Sequence, residues 1–274
     1  MNERSRMRLL ALDVDGTVLG NDHRVSPGTR EAVRAAADSG AEIVLASSRG
    51  PGGLRPVFSE LGTNGLAVAY QGALLCRLYV PEGMEVLSEK RLSIASARST
   101  IFSARERGLS VGWYTAERWE VLRLDEAICR EAEITGETPI VANAPASSDE
   151  PPHKVLCIGG SPDLDTVLGE LASRLREDCA GQFSHENYLE VTPRDVDKAP
   201  ALKTLAEQLG VAREEIVAIG DGENDAGMIR WAGLGSCMGH APDSVTEVAD
   251  WVTGTNERDG VAIAVHELRE RRWL

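Results

Sequence analysis

Apolar residues follow two patterns along this 274-residue chain. Leu9-Leu10-Ala11-Leu12 is continuously apolar, which predicts a strand over 8–12 covered on both faces, as in a parallel sheet. A helix follows, with Ser26 as N-cap, Pro27 at its first position and Gly40 just past its end. The runs AEIVLA (41–46) and LAVAY (66–70) predict two more buried strands, separated by a Gly/Pro-rich turn and a short helix. One-to-one alternation of strand and helix predicts a doubly wound parallel sheet.

From about Leu74 to Tyr188 the pattern changes. LLCRLYV, SVGWYT, WEVLRL, KVLCIGG and NYLEVTP are amphipathic or hairpin-like, and helical stretches at 93–108, 124–135 and 163–177 separate them. This predicts an α+β insertion with a mainly antiparallel sheet, including a polar, Pro-rich loop at 138–152. After Thr192 the alternation returns, with a helix at 198–209, the strand EIVAIGD and a terminal helix from near Asp259. The expected class is α/β. A doubly wound, Rossmann-like core (1–80 plus 192–274) is interrupted by an α+β cap domain (81–191).

Charge narrows the partners. The chain has 29 Lys plus Arg against 43 Asp plus Glu, and a net charge of −14 disfavours nucleic acid and anionic membranes. No apolar run approaches the roughly 18 residues of a membrane-spanning helix. Asp13 and Asp15 interrupt the N-terminal apolar stretch before it could form a signal-peptide core, so a cytoplasmic location is expected. Cys76, Cys129, Cys157, Cys179 and Cys237 are scattered with no C-x-x-C pair, which points away from a disulfide framework or a zinc site.

The candidate chemistry sits at strand ends. The first strand runs into Asp13-Val14-Asp15-Gly16-Thr17, and ligand crevices of open α/β sheets lie at the carboxyl ends of the strands. On a straight strand, residues two apart share a face. Two close carboxylates repel, and a divalent cation or a shared proton holds them together. Taken alone, the segment reads equally well as a strand-to-loop turn. A second apolar strand ends in Gly220-Asp221-Gly222-Glu223-Asn224-Asp225. Its Gly-x-Gly is a poor dinucleotide fingerprint, because Asp225 stands where the third glycine belongs. Two acidic strand ends together suit Mg²⁺. Ser47 and Ser48 follow AEIVLA, and Lys198 opens a helix ahead of the acidic strand. Singly they read as a turn hydroxyl and a solvated lysine; beside both acidic clusters they read as groups that hold phosphoryl oxygens.

These motifs resemble the haloacid dehalogenase superfamily, and within it the Cof-type phosphatases of subclass IIB, whose large cap lies between the second and third motifs. The resemblance rests on DVDGT (13–17), Ala-Ser-Ser-Arg (46–49), DKAPAL (197–202), GDGENDAGM (220–228) and the closing segment CMGHAPDSVTEVADWVTGTNERDGVA. It implies that Asp13 attacks phosphorus to give an aspartyl-phosphate, and that Asp15 serves as general acid and then general base. It also implies Mg²⁺ held by the Asp13 carboxylate, the Asp15 backbone carbonyl and Asp221. Ser47, Lys198 and Asn224 would hold the phosphoryl oxygens, and Asp225 would orient Lys198 or a metal-bound water.

The implied activity is Mg²⁺-dependent hydrolysis of small phosphorylated metabolites, sugar phosphates foremost, by a monomer or small homo-oligomer. Phosphohexomutase-type transfer and a non-catalytic module that binds a phosphorylated ligand are the alternatives. Ser48, Gln71 and Ala199 depart from the family pattern without removing a catalytic group. In the cap, Trp113, Tyr114, Arg118, Trp119, Arg123, His185, Glu186 and Tyr188 read as packing or surface. His23, His153, His240 and His266 read as loop or surface residues.

Overall fold

The strand predicted at the N-terminus forms the centre of a parallel sheet, β1 (Leu9–Asp13), and every residue in it is buried. The structure, a computed structural model, describes residues 6–142, 150–185, 187–271 and 273. Glu186 and residues 143–149 of the expected polar loop lie outside the described residues.

The chain continues through α1 (Pro27–Asp38), β2 (Glu42–Ala46), α2 (Pro51–Leu61), β3 (Gly65–Ala69), β4 (Leu74–Leu78) and β5 (Met84–Glu89). Next come α3 (Ile94–Arg105), β6 (Ser110–Tyr114), β7 (Trp119–Val121), α4 (Glu126–Thr135), β8 (Ile140–Val141), β9 (Lys154–Ile158), α5 (Pro162–Ser173), β10 (Cys179–His185) and β11 (Tyr188–Pro193). The last elements are α6 (Lys198–Leu209), β12 (Ile216–Gly220), α7 (Ala226–Trp231), β13 (Leu234–Cys237), α8 (Asp243–Thr246), β14 (Trp251–Val252) and α9 (Gly260–Glu270). Helix α1 starts as its sequence dictates: the Ser26 hydroxyl accepts from the Thr29 amide at 3.0 Å, and Pro27 needs no hydrogen-bond acceptor there.

Two compact units result. The first comprises Met1–Ser47, Leu54–Leu87 and Asp197–Leu274, and the second Ser48–Gly53 and Ser88–Val196. The principal sheet has the order β14-β13-β12-β1-β2-β3-β4-β5 and is parallel from β14 to β3. Leu9, Ala11, Val44, Ala46, Leu66, Val68, Ile216 and Ala218 form one face of its core, covered by Leu202 and Leu205 of α6 and by Met228 and Ile229 of α7. Each fully buried large aliphatic side chain contributes about 1.5–3 kcal/mol before entropy is counted.

The change of pattern at Leu74 does not mark the start of the insertion. Strand β4 pairs antiparallel with β3, Leu74 facing Ala69 and Leu78 facing Gly65, so LLCRLYV extends the principal sheet. An antiparallel strand added to the edge of a parallel sheet can expose part of one face, which gives it the same amphipathic pattern as a cap strand.

The second unit carries a six-stranded sheet of order β10-β11-β9-β6-β7-β8. Its pairs are antiparallel except for β7 with β8. Strand alternation splits it into two faces. Val111, Trp113, Val155, Cys157, Leu189 and Val191 pack with Ile101 and Ala104 of α3 and Leu168 and Leu171 of α5. The intervening residues, among them Tyr114, Lys154, Tyr188 and Glu190, lie on the opposite face. His153 is not a surface residue: it is buried, with Nε2 3.0 Å from Glu89 Oε2. Burial, partly offset by that contact, lowers its pKa. Among the described residues no helix is long and apolar enough to cross a membrane.

Candidate active site

Asp13 is the last residue of β1 and is 6% exposed. The strand ends there, so the straight-strand argument for placing Asp15 on the same face does not apply. Gly16 turns the chain at φ +87°, and the amides of Thr17 and Leu19 both donate to the Val14 carbonyl. Asp15 consequently sits exposed on the turn, where it bridges to Leu19. Gly16 also has a packing reason: a Cβ there would stand 2.5 Å from Asp221 Oδ2.

Lys198 is the first residue of α6, whose N-cap Asp197 accepts from the Ala199 amide at 2.8 Å. Its ammonium is 1% exposed and donates to Asp13 Oδ1 and to Asp225 Oδ1, each at 2.7 Å. Burial disfavours the charged lysine, but attraction to Asp13 and Asp225 and the two hydrogen bonds outweigh it, and its pKa rises. Asp225 is itself fixed, because its Oδ2 accepts from the amides of Asp221 (3.1 Å) and Gly222 (2.9 Å). The turn GDGEND thus folds over its own carboxylate, and Asp225 holds Lys198 in place.

Asp221 follows β12, which pairs directly with β1, so the two acidic strand ends are neighbours. Thr17 Oγ1 donates to Asp221 Oδ1 at 2.8 Å, and His240 Nε2 lies 3.4 Å from Asp221 Oδ2. Oxygens of Asp13, Asp221 and Asp225 all lie within 4.8 Å of one another. Burial, then repulsion from Asp225, raises the Asp13 pKa well above its ordinary value, against the pull of Lys198. Burial is also the main cause that raises Asp221, with Asp225 adding to it and the Thr17 hydrogen bond opposing it. Three carboxylates this close carry more negative charge than the Lys198 ammonium offsets, an excess that a shared proton or a cation relieves.

This donor set fits Mg²⁺. All the candidate ligands are hard oxygens, and the mutual repulsion of the clustered carboxylates is relieved by a divalent cation. Because Asp225 is committed to Lys198 and two amides, Asp13 and Asp221 are the carboxylates suited to hold the ion.

Ser47 follows β2 and is buried; its amide donates to Val68 O at 2.9 Å, and its carbonyl accepts from the Gln71 amide at 2.9 Å. Gln71, one of the departures from the family pattern, has a definite partner: its Oε1 accepts from Asn224 Nδ2 at 3.3 Å. Ala199 is helical, and its methyl lies 3.1 Å from where a Cβ on Gly227 would stand, so the glycine makes room for it. The Ser48 carbonyl accepts from Lys154 Nζ at 2.9 Å within the second unit.

In that unit Lys154 is buried, lies 4.8 Å from the centre of the Tyr114 ring and 3.8 Å from Glu190 Oε1. Glu131 is also buried, and desolvation raises its pKa against the attraction of Lys154. Burial likewise pushes Tyr188 up to about 12, with help from Glu131. Trp113 packs in the apolar layer, whereas Arg118 pairs with Glu120 and Glu150 and Arg123 with Asp125. Thr17 and His240 are the contacts of Asp221 that sequence reasoning missed. Thr17 stood inside the first motif and His240 inside the closing segment, 19 positions beyond Asp221, and neither position by itself signals the contact.

The chain is similar in sequence and fold to known proteins. A crystal structure of a haloacid dehalogenase-like hydrolase from Bacteroides thetaiotaomicron superposes with a TM-score of 0.87 at 32% identity, over 96% of this chain and 100% of that one. Phosphatase YwpJ of Bacillus subtilis is 29% identical over 96% of this chain and 100% of its own length. The 5-amino-6-(5-phospho-D-ribitylamino)uracil phosphatase YcsE of the same organism is 28% identical over 98% of this chain and 96% of its own. The family model for haloacid dehalogenase-like hydrolases matches residues 10–265, and the chain belongs to that family.

Proposed function

We propose that the protein is a Mg²⁺-dependent phosphatase of small phosphorylated metabolites, with Asp13 as nucleophile. The observation that carries this reading is the buried set in which Lys198 bridges Asp13 and Asp225 while Asp221 lies alongside. The relatives named as phosphatases support hydrolysis as the activity.

Asp13 attacks phosphorus and the alcohol leaves, giving an aspartyl-phosphate; water then cleaves its P–O bond and regenerates the carboxylate. Asp15, exposed on the turn two residues on, protonates the departing alcohol and later takes the proton of the attacking water. Its backbone carbonyl would hold Mg²⁺ together with the carboxylates of Asp13 and Asp221. Mg²⁺ bound there would screen the repulsion between the anionic nucleophile and the anionic phosphoryl group. Ser47, Lys198 and Asn224 hold the phosphoryl oxygens, with Gln71 fixing the Asn224 amide and Asp225 fixing Lys198. Phosphorylated polyols and sugars are the proposed substrates, in keeping with the ribityl phosphate in the name of one relative.

The test is phosphate release from a panel of phosphomonoesters with Mg²⁺ and with excess chelator. Release that requires Mg²⁺ supports the reading. Isomerised sugar phosphate without release would point instead to a mutase, and Mg²⁺-dependent binding without turnover to a binding module.

A further inference from the structure

The loop after β13 brings an imidazole to Asp221 that no motif required. Its course is fixed by backbone contacts: the Met238 amide donates to Gly220 O at 3.0 Å, Gly239 to Gly254 O at 2.9 Å, and Ala241 to Met238 O at 3.0 Å. Gly239 allows this close approach, because a Cβ there would meet Thr253 O at 2.9 Å. The first of these bonds ties the loop to the residue immediately before Asp221, and the turn that follows carries His240 beside the carboxylate.

The two oxygens of Asp221 have different neighbours. Oδ1 accepts from the buried Thr17 hydroxyl at 2.8 Å, and Oδ2 lies 3.4 Å from His240 Nε2. A carboxylate approached from both sides loses rotational freedom, and groups that orient a metal ligand in this way contribute to metal affinity without touching the ion. Gly16 blocks a third direction, with its backbone close enough that an added Cβ would stand 2.5 Å from Oδ2.

We propose that His240 is a positioning residue: its Nε2–H donor, acting with Thr17, holds the Asp221 carboxylate in the orientation that binds Mg²⁺. The proposal rests on the reading of Asp221 as a metal ligand. It makes His240 specific to the metal step, separate from the phosphoryl-binding groups Ser47, Lys198 and Asn224.

The experiment is calorimetric titration of Mg²⁺ into the substrate-free protein, comparing wild type with His240→Ala, His240→Gln and Asp221→Asn. Loss of an orienting partner weakens metal binding about 10–100-fold; for a partly exposed imidazole the lower figure is expected for His240→Ala. His240→Gln, which keeps an N–H donor, should recover most of the loss. Activity lost in His240→Ala should return as Mg²⁺ is raised. Wild-type Mg²⁺ affinity in His240→Ala overturns the positioning role, as does equal weakening by Gln and Ala. A raised KM with unchanged Mg²⁺ affinity also overturns it and makes His240 a substrate contact. If Asp221→Asn binds Mg²⁺ as wild type does, the ligand assignment itself fails, and the two failures are distinguishable.

Discussion

Lys198 Nζ stands 2.7 Å from both Asp13 Oδ1 and Asp225 Oδ1, in a position almost closed to solvent. One buried ammonium thus holds the proposed nucleophile and its own positioning carboxylate. Around it are three carboxylates, so the cluster carries excess negative charge unless a proton or a cation joins it.

Replacing the lysine tests that arrangement. Lys198→Met leaves Asp13 and Asp225 buried without their cation, and removing one partner of a buried ion pair costs about 3–5 kcal/mol. Chemical denaturation should show that loss, and phosphatase activity should fall at least ~100-fold, the effect of losing a preorganised charge-stabilising donor.

The pH dependence has a definite sign. Asp13 and Asp221 have folded pKa values above the ordinary 3.8, so between those limits the folded state binds more protons than the unfolded one. Their contribution to stability is therefore fully present below about pH 3.8 and is lost as pH rises through the raised values. In chelator, Asp13→Asn should gain melting temperature relative to wild type as pH goes from 4 to 8, by about 2–4 °C for each kcal/mol relieved. Mg²⁺ should close the gap by stabilising wild type alone.

Gly16→Ala should fail for two reasons. The added methyl would stand 2.5 Å from Asp221 Oδ2, and φ is +87°. Positive φ costs an L-residue about 1–2 kcal/mol before the clash is counted. Thermal melts should show a loss at least that large, together with weakened Mg²⁺ binding measured by calorimetry.

The strand ends were legible in the sequence because they are local. Continuous apolar runs fixed β1 and β12, and Asp13 and Asp221 follow from where those runs stop. Asp225 and Lys198 were legible as motif residues, and the resemblance implied that Asp225 orients Lys198 or a metal-bound water; across 27 residues no local pattern chooses between these, and the structure has the direct hydrogen bond to Lys198. The Gln71–Asn224 and His240–Asp221 contacts join loops whose proximity depends on strand order, which no periodicity records. The apolar pattern changes at β4 although that strand joins the principal sheet, because alternation reports one-sided burial, not which sheet a strand joins.

A prediction for the second unit concerns Lys154. Its ammonium donates to the Ser48 carbonyl and lies near Glu190 and Glu131 in a buried setting. Lys154→Met should destabilise the protein by about 3–5 kcal/mol, because two buried carboxylates lose their cation. Adding Glu190→Gln to that variant should recover part of the loss, and the double-mutant cycle measures the coupling.

The central claim is that Asp13 becomes phosphorylated. Wild-type protein mixed with a ³²P-labelled phosphomonoester and Mg²⁺, then quenched in acid within milliseconds, should carry label in the peptide that contains Asp13. Asp13→Asn should carry none and release no phosphate. Phosphate release by wild type with no labelled peptide, or turnover that survives in Asp13→Asn, would contradict the account.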